Sequence, residues 1–258
     1  MQLKWQQKDF NEDIEFILFH QKDGTPEWWQ KQLFNAYPEL NYKYAKSVSE
    51  SERFDYITSQ MKFMAQKRQP TVENSIKIFK DSWNALVAKK LNAAYSQAFD
   101  NDCNDILNDM TANVGLNPIC PRNVLDHSFD VYHYFETKWA ISTALHEITH
   151  FAWFTFWQKH FQDDPADYDS PHLKWLLSEI VVETIIRNSD IDDLSEQPNY
   201  IAYSYFYDMT INGELIFDTM KKMYLERKDI YDFMEKSYEW IQNNESELRE
   251  KIAQAESK

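Results

Sequence analysis

The chemistry in this sequence is concentrated in Thr143-Ala144-Leu145-His146-Glu147-Ile148-Thr149-His150-Phe151-Ala152, which contains HExxH. On a helix, residues four apart share a face one turn apart, so the imidazoles of His146 and His150 project together. That spacing suits two nitrogens on one Zn²⁺ at roughly 2.0–2.1 Å each. Glu147 lies beside them, where its carboxylate reaches a water on the metal rather than the metal itself, as a general base does. HExxH is short enough to occur by chance, so its setting decides what it means. Here the flanks are uncharged, no proline interrupts, and Trp139, Ile141, Ala144, Leu145, Ile148, Phe151, Ala152, Phe154, Phe156 and Trp157 make the helix apolar almost all round. Such a helix is buried. Two histidines and a glutamate inside it need partners, supplied either by a metal with a water or by a hydrogen-bonded polar cluster.

A second apolar helix follows over residues 173–186 and carries Glu179 and Glu183 at i and i+4. Two carboxylates on one buried face repel unless a cation or proton intervenes. A Zn²⁺ ligand together with a carboxylate that supports the ligand shell resolves the conflict. Other donors are weaker. Asp163, Asp164, Asp167 and Asp169 lie in a loop that reads as solvated. His160 and His172 read as surface residues, although His172 falls seven residues before Glu179 on the same helix face. Cys103 sits about the right distance upstream for a cysteine ligand, but its Asn101-Asp102-Cys103-Asn104-Asp105 setting lacks the accompanying motif. The metzincin extension needs Gly and then His after the second histidine; Trp153 and Phe156 stand there instead.

This pattern resembles the gluzincin-type zinc metallopeptidases, the thermolysin-like group, over about 45 residues from Thr143 to Thr184. The resemblance implies that His146 and His150 are ligands, Glu147 the general base, Glu179 the third ligand and Glu183 the partner that orients His146. One zinc ion and a peptide or protein substrate follow from it. The sequence departs from the group in having Ser178-Glu179 where Asn-Glu is usual, and Glu rather than Asp four positions on. Glu179 and Glu183 therefore stand as alternatives for the third ligand, with Glu179 preferred. The resemblance also implies a later Tyr or His that stabilises an oxyanion, for which Tyr200, Tyr203, Tyr205, Tyr207 and His133 are candidates. It further implies a cleft-edge strand that pairs with peptide, the role expected of residues 129–134.

The elements that must hold these groups are read from periodicity. Residues 1–70 read as short helices broken at Gly24-Thr25-Pro26, Tyr37-Pro38 and Gln69-Pro70, with Thr25 capping a helix that begins at Pro26. Apolar residues from Ile76 to Ala98 predict one long helix over 72–99. Strands are expected near 112–116 and 129–134, then helices over 137–158, from Pro171 to 188, over 199–220 and over 226–255. The expected fold class is mainly α with a small β-sheet (α+β): a helical region over 1–110 and a zincin-like catalytic half over 111–258.

Composition narrows the function classes. The chain of 258 residues carries 27 Lys+Arg and 42 Asp+Glu, a net charge of −15, which disfavours nucleic-acid backbones and anionic lipid surfaces. Three glycines leave no phosphate-cradling Gly-rich loop. Aromatics at 16% predict a bulky interior. Trp153, Phe154 and Trp157 are expected in that core rather than in a substrate pocket. Two cysteines, no apolar leader and no long apolar run read as a cytoplasmic protein without a membrane span. The expected function is a zinc metallopeptidase. The alternatives are a non-catalytic helical protein with a structural or sensing metal site, and a hydrolase of a non-peptide amide. Glu147 separates the first two, since a structural site has no use for a base beside its ligands.

Overall fold

The computed structural model describes residues 3–195 and 202–256. The protein is mainly α with a small β-sheet, and its residues group into two compact units, each drawn from separate stretches of chain rather than divided once near residue 110.

The sheet unit comprises Leu3–Ser82 and Met110–Ala140. Strands β1 (Lys4–Gln7), β2 (Thr111–Gly115), β3 (Arg122–Asn123) and β4 (Ser128–Tyr132) form one sheet in the order β1-β2-β4-β3. The pairs β1–β2 and β2–β4 are parallel, with Thr111 opposite Ser128 and Gly115 opposite Tyr132; β3 runs antiparallel to β4. The expected strands at 112–116 and 129–134 are β2 and β4. Every residue from 112 to 115 and from 129 to 132 is buried, on both faces of the two strands, as parallel strands covered on two faces require. β4 is flanked by β2 and β3, and β3 covers it at Ser128 and Phe129, so of the residues expected at a cleft edge Phe129 is already paired. Strand β1 has no clean alternation and was not foreseen; Leu3 and Trp5 are its buried anchors.

Helices α1 (Phe10–Phe19), α2 (Glu27–Ala36) and α3 (Tyr42–Ser47) are the short helices expected, and α2 begins one residue after Pro26. Helix α4 (Glu50–Leu86) then runs through Pro70, where a break was expected. Ile57, Met61, Met64, Ala65, Val72 and Phe79 are buried at three- and four-residue spacing on both sides of the proline. That continuous stripe outweighs the local loss of one hydrogen bond at Pro70.

The helical unit comprises Trp83–Asp109 and the described part of Ile141–Lys258. The single helix expected over 72–99 is interrupted: α4 ends at Leu86 and α5 spans Leu91–Ala98. The turn between them closes through Ala88 N–H to Trp83 O and Lys90 N–H to Val87 O, without any glycine or proline to announce it. Helices α6 (Thr137–Phe161) and α7 (Leu173–Arg187) lie where expected. The helix expected over 199–220 is instead a 3-10 turn at Ser204–Phe206, a hairpin of β5 (Thr210–Ile211) and β6 (Glu214–Leu215), and the start of α8 (Ile216–Leu225). Asn212 and Gly213 both have positive φ, 52° and 84°, the Asn-Gly turn that a tight hairpin demands. Helix α9 (Ile230–Glu256) closes the unit. Among the described residues, no helix is long and apolar enough to cross a membrane.

Candidate metal centre

The centre is built from α6 and α7. All residues of α6 from Ala140 to Phe154 are buried, as are all those of α7 from Leu176 to Ile186. Trp153 packs edge-on against Phe233, Phe154 stacks on Tyr168 at 4.4 Å, and Trp157 meets Tyr238, so these aromatics are core, as expected. Asn188 stops α7 by donating its side-chain amide to Thr184 O, and its backbone N–H goes to Ile185 O.

Within this apolar packing His146, His150 and Glu179 bring one ligand atom each to a common point, all within 4.8 Å of one another. His146 Nε2 and His150 Nε2 are 3.1 Å apart. Glu179 Oε1 is 3.7 Å from His150 Nε2, and Glu179 Oε2 is 3.9 Å from His146 Nε2. A tetrahedral ion with bonds of about 2.0–2.2 Å holds its ligand atoms roughly 3.3–3.6 Å apart. The imidazole pair lies just below that range and each glutamate oxygen lies just above it from a different histidine, so a three-ligand set would require one carboxylate oxygen to move toward both rings. Two imidazole nitrogens and one carboxylate oxygen, with a fourth position left over, are the donor chemistry of a catalytic zinc. The 3.1 Å contact also suits an N–H···N hydrogen bond between the imidazoles. Glu147 is buried beside the pair on the same helix.

Glu183 is buried but is not in this group of ligand atoms. It accepts from Arg187 Nε at 2.9 Å, and Arg187 Nη1 reaches Asp192 at 2.5 Å. Tyr207 lies against the same carboxylate; burial and the Glu183 charge together push its hydroxyl well above the usual tyrosine range. Tyr205 is raised in the same direction by burial, then by the charges of Glu256 and Glu179. Tyr203 stacks on Tyr205 at 5.4 Å and meets Trp175 at 6.2 Å. Of the oxyanion candidates in this unit, then, Tyr207 is held by Glu183, whereas Tyr205 feels the charge of Glu179. Tyr200 lies outside the described residues. His133 belongs to the sheet unit, where its Nδ1 contacts Gly115 O at 2.9 Å.

Of the loop carboxylates, Asp163, Asp164 and Asp167 are engaged elsewhere and Asp169 is exposed. Asp163 accepts from Trp157 Nε1, Tyr168 and Lys174; Asp164 caps the turn at Pro165–Tyr168; Asp167 pairs with Lys174. His160 pairs with Glu235 at 2.8 Å and His172 is half exposed near Asp167. Cys103 is a buried free thiol, pushed up to about 12 by burial. Sequence reasoning passed over Arg187, although a Glu-to-Arg spacing of four on a helix signals the pair.

No family model matches the chain, and neither a curated protein nor a solved structure matches it significantly.

Proposed function

We propose that the protein is a zinc-dependent metallopeptidase of the gluzincin kind. The observation that carries this reading is the convergence of His146, His150 and Glu179 ligand atoms inside two apolar helices, with Glu147 next to the first histidine. A divalent cation held by these three side chains would supply Lewis-acid polarisation of a scissile carbonyl and acidify water at neutral pH. Glu147 accepts a proton from the attacking water and delivers it to the leaving amine nitrogen, so that a C–O bond forms as the amide C–N bond breaks. Tyr205, held protonated by its burial and by the Glu179 and Glu256 charges, donates to the carbonyl oxygen as negative charge develops there. Tyr207 already faces Glu183, which favours Tyr205 for this role.

The test is elemental analysis of the purified protein, with digestion of a peptide library before and after chelation. About one zinc per chain, and cleavage that chelation abolishes and zinc restores, are the expected results. Protein that holds no divalent metal, or cleavage indifferent to chelation, overturns the reading. Cleavage of simple amides without any peptide cleavage would select the non-peptide hydrolase instead.

A further inference from the structure

Behind the two histidines, on α6, lies a closed set of three polar atoms. Tyr95, on α5, is fully buried, and its hydroxyl is 2.7 Å from Leu145 O and 2.9 Å from Thr149 Oγ1. Thr149 Oγ1 is itself 2.7 Å from Leu145 O. Each hydroxyl has one proton to give. Either both hydroxyls donate to the Leu145 carbonyl, or one does so and the other donates to the first hydroxyl. In every arrangement the Tyr95 hydroxyl is tied to the turn between Leu145 and Thr149. Burial raises the tyrosine's ionisation far above neutral pH, so it remains a donor.

Leu145 immediately precedes His146, and Thr149 immediately precedes His150. The helical turn that this set clamps is therefore the turn that separates the imidazoles. A Thr hydroxyl bonded to the carbonyl four residues back bends a helix locally, and a bend here changes how closely the two rings approach. Resting on the metal reading above, we propose that Tyr95 is a positioning residue that sets the 3.1 Å spacing of His146 Nε2 and His150 Nε2 by clamping the Leu145–Thr149 turn. Groups hydrogen-bonded directly to metal ligands are worth about 10–100-fold in metal affinity; Tyr95 acts through the helix backbone, so its effect is expected at the lower end of that range.

Tyr95→Phe removes only the hydroxyl, since the ring still stacks on Phe99. Zinc affinity is measured by competition with a chromophoric chelator for the wild type, Tyr95→Phe, Thr149→Val and the double variant. The visible absorption of the cobalt-substituted proteins and the melting temperatures of the chelated ones are recorded alongside. Tyr95→Phe is expected to weaken zinc binding roughly tenfold and to shift the cobalt bands. The double variant is expected to be less impaired than the product of the single losses, because both act through one clamp. Unchanged zinc affinity and cobalt bands in Tyr95→Phe and Thr149→Val overturn the proposal, whatever happens to the melting temperatures. If Tyr95→Phe does not fold, Thr149→Val alone decides by the same criteria. A wild type that takes up neither zinc nor cobalt is a different result: it removes the metal reading and this inference with it.

Discussion

His150 Nε2 and Glu179 Oε1 lie 3.7 Å apart in the interior of the helical unit, though they belong to different helices. His150 is fully buried and Glu179 is 5% exposed, a setting in which a carboxylate is held only when it is paired. On the reading proposed above, a cation between them would resolve the arrangement and give Glu147 its chemical purpose.

Glu147→Gln should retain zinc and lose peptide cleavage by about 10²–10⁴-fold, the range of a lost general base. Paired metal analysis and single-turnover cleavage check this. Full activity in the variant would remove Glu147 from the mechanism.

The two glutamates of α7 should separate by their effect on metal. Glu179→Gln should cost more than about 100-fold in zinc affinity, exceeding what a supporting residue costs. Glu183→Gln should retain most of the metal, because that carboxylate lies outside the group of ligand atoms and accepts from Arg187. Chelator competition on both variants checks the order; the reverse order would make Glu183 the ligand.

Stability should depend on pH through two groups of the sheet unit acting in opposite senses. Burial raises Asp13 to about 7, against the pull of the Leu116 and Asn117 N–H groups on its carboxylate. The folded state therefore keeps a proton that an unfolded aspartate releases near 3.8, and stability falls as pH rises from about 4 to 7. Burial lowers His133 to about 4, so the unfolded state binds the extra proton between about 4 and 6.5, and stability rises with pH there. Urea unfolding across this window should show a shallow wild-type profile. Asp13→Asn should leave a rising profile, and His133→Gln a falling one. Parallel profiles for all three proteins would contradict both assignments.

Gly115→Ala should destabilise the sheet unit by about 1–3 kcal/mol. A Cβ there would collide with the Asp13 carboxylate, which cannot swing away because it accepts from the Leu116 and Asn117 N–H groups. Chemical denaturation measures the loss, and a change below about 0.5 kcal/mol would show that α1 yields easily.

By itself the sequence determined the two helices α6 and α7, their burial and the shared face of His146 and His150. HExxH fixes one turn between His146 and His150, Glu179 and Glu183 repeat the spacing, and apolar residues on every side leave both helices no place but the interior. These are local properties, written in the period of the chain. Strands β2 and β4 were legible from Gly115, Pro118, Pro121 and β-branched residues in a stretch without helical period, and the Asn212-Gly213 hairpin carried a local signal that the expected helix over 199–220 overrode. Only the tertiary structure decided that Glu179 meets the histidines while Glu183 turns to Arg187, that Tyr95 stands behind Leu145, that β1 joins the sheet and that α4 survives Pro70. Each of these depends on which distant segment packs alongside, and the free energy of such contacts leaves no periodic trace in the segment that receives them.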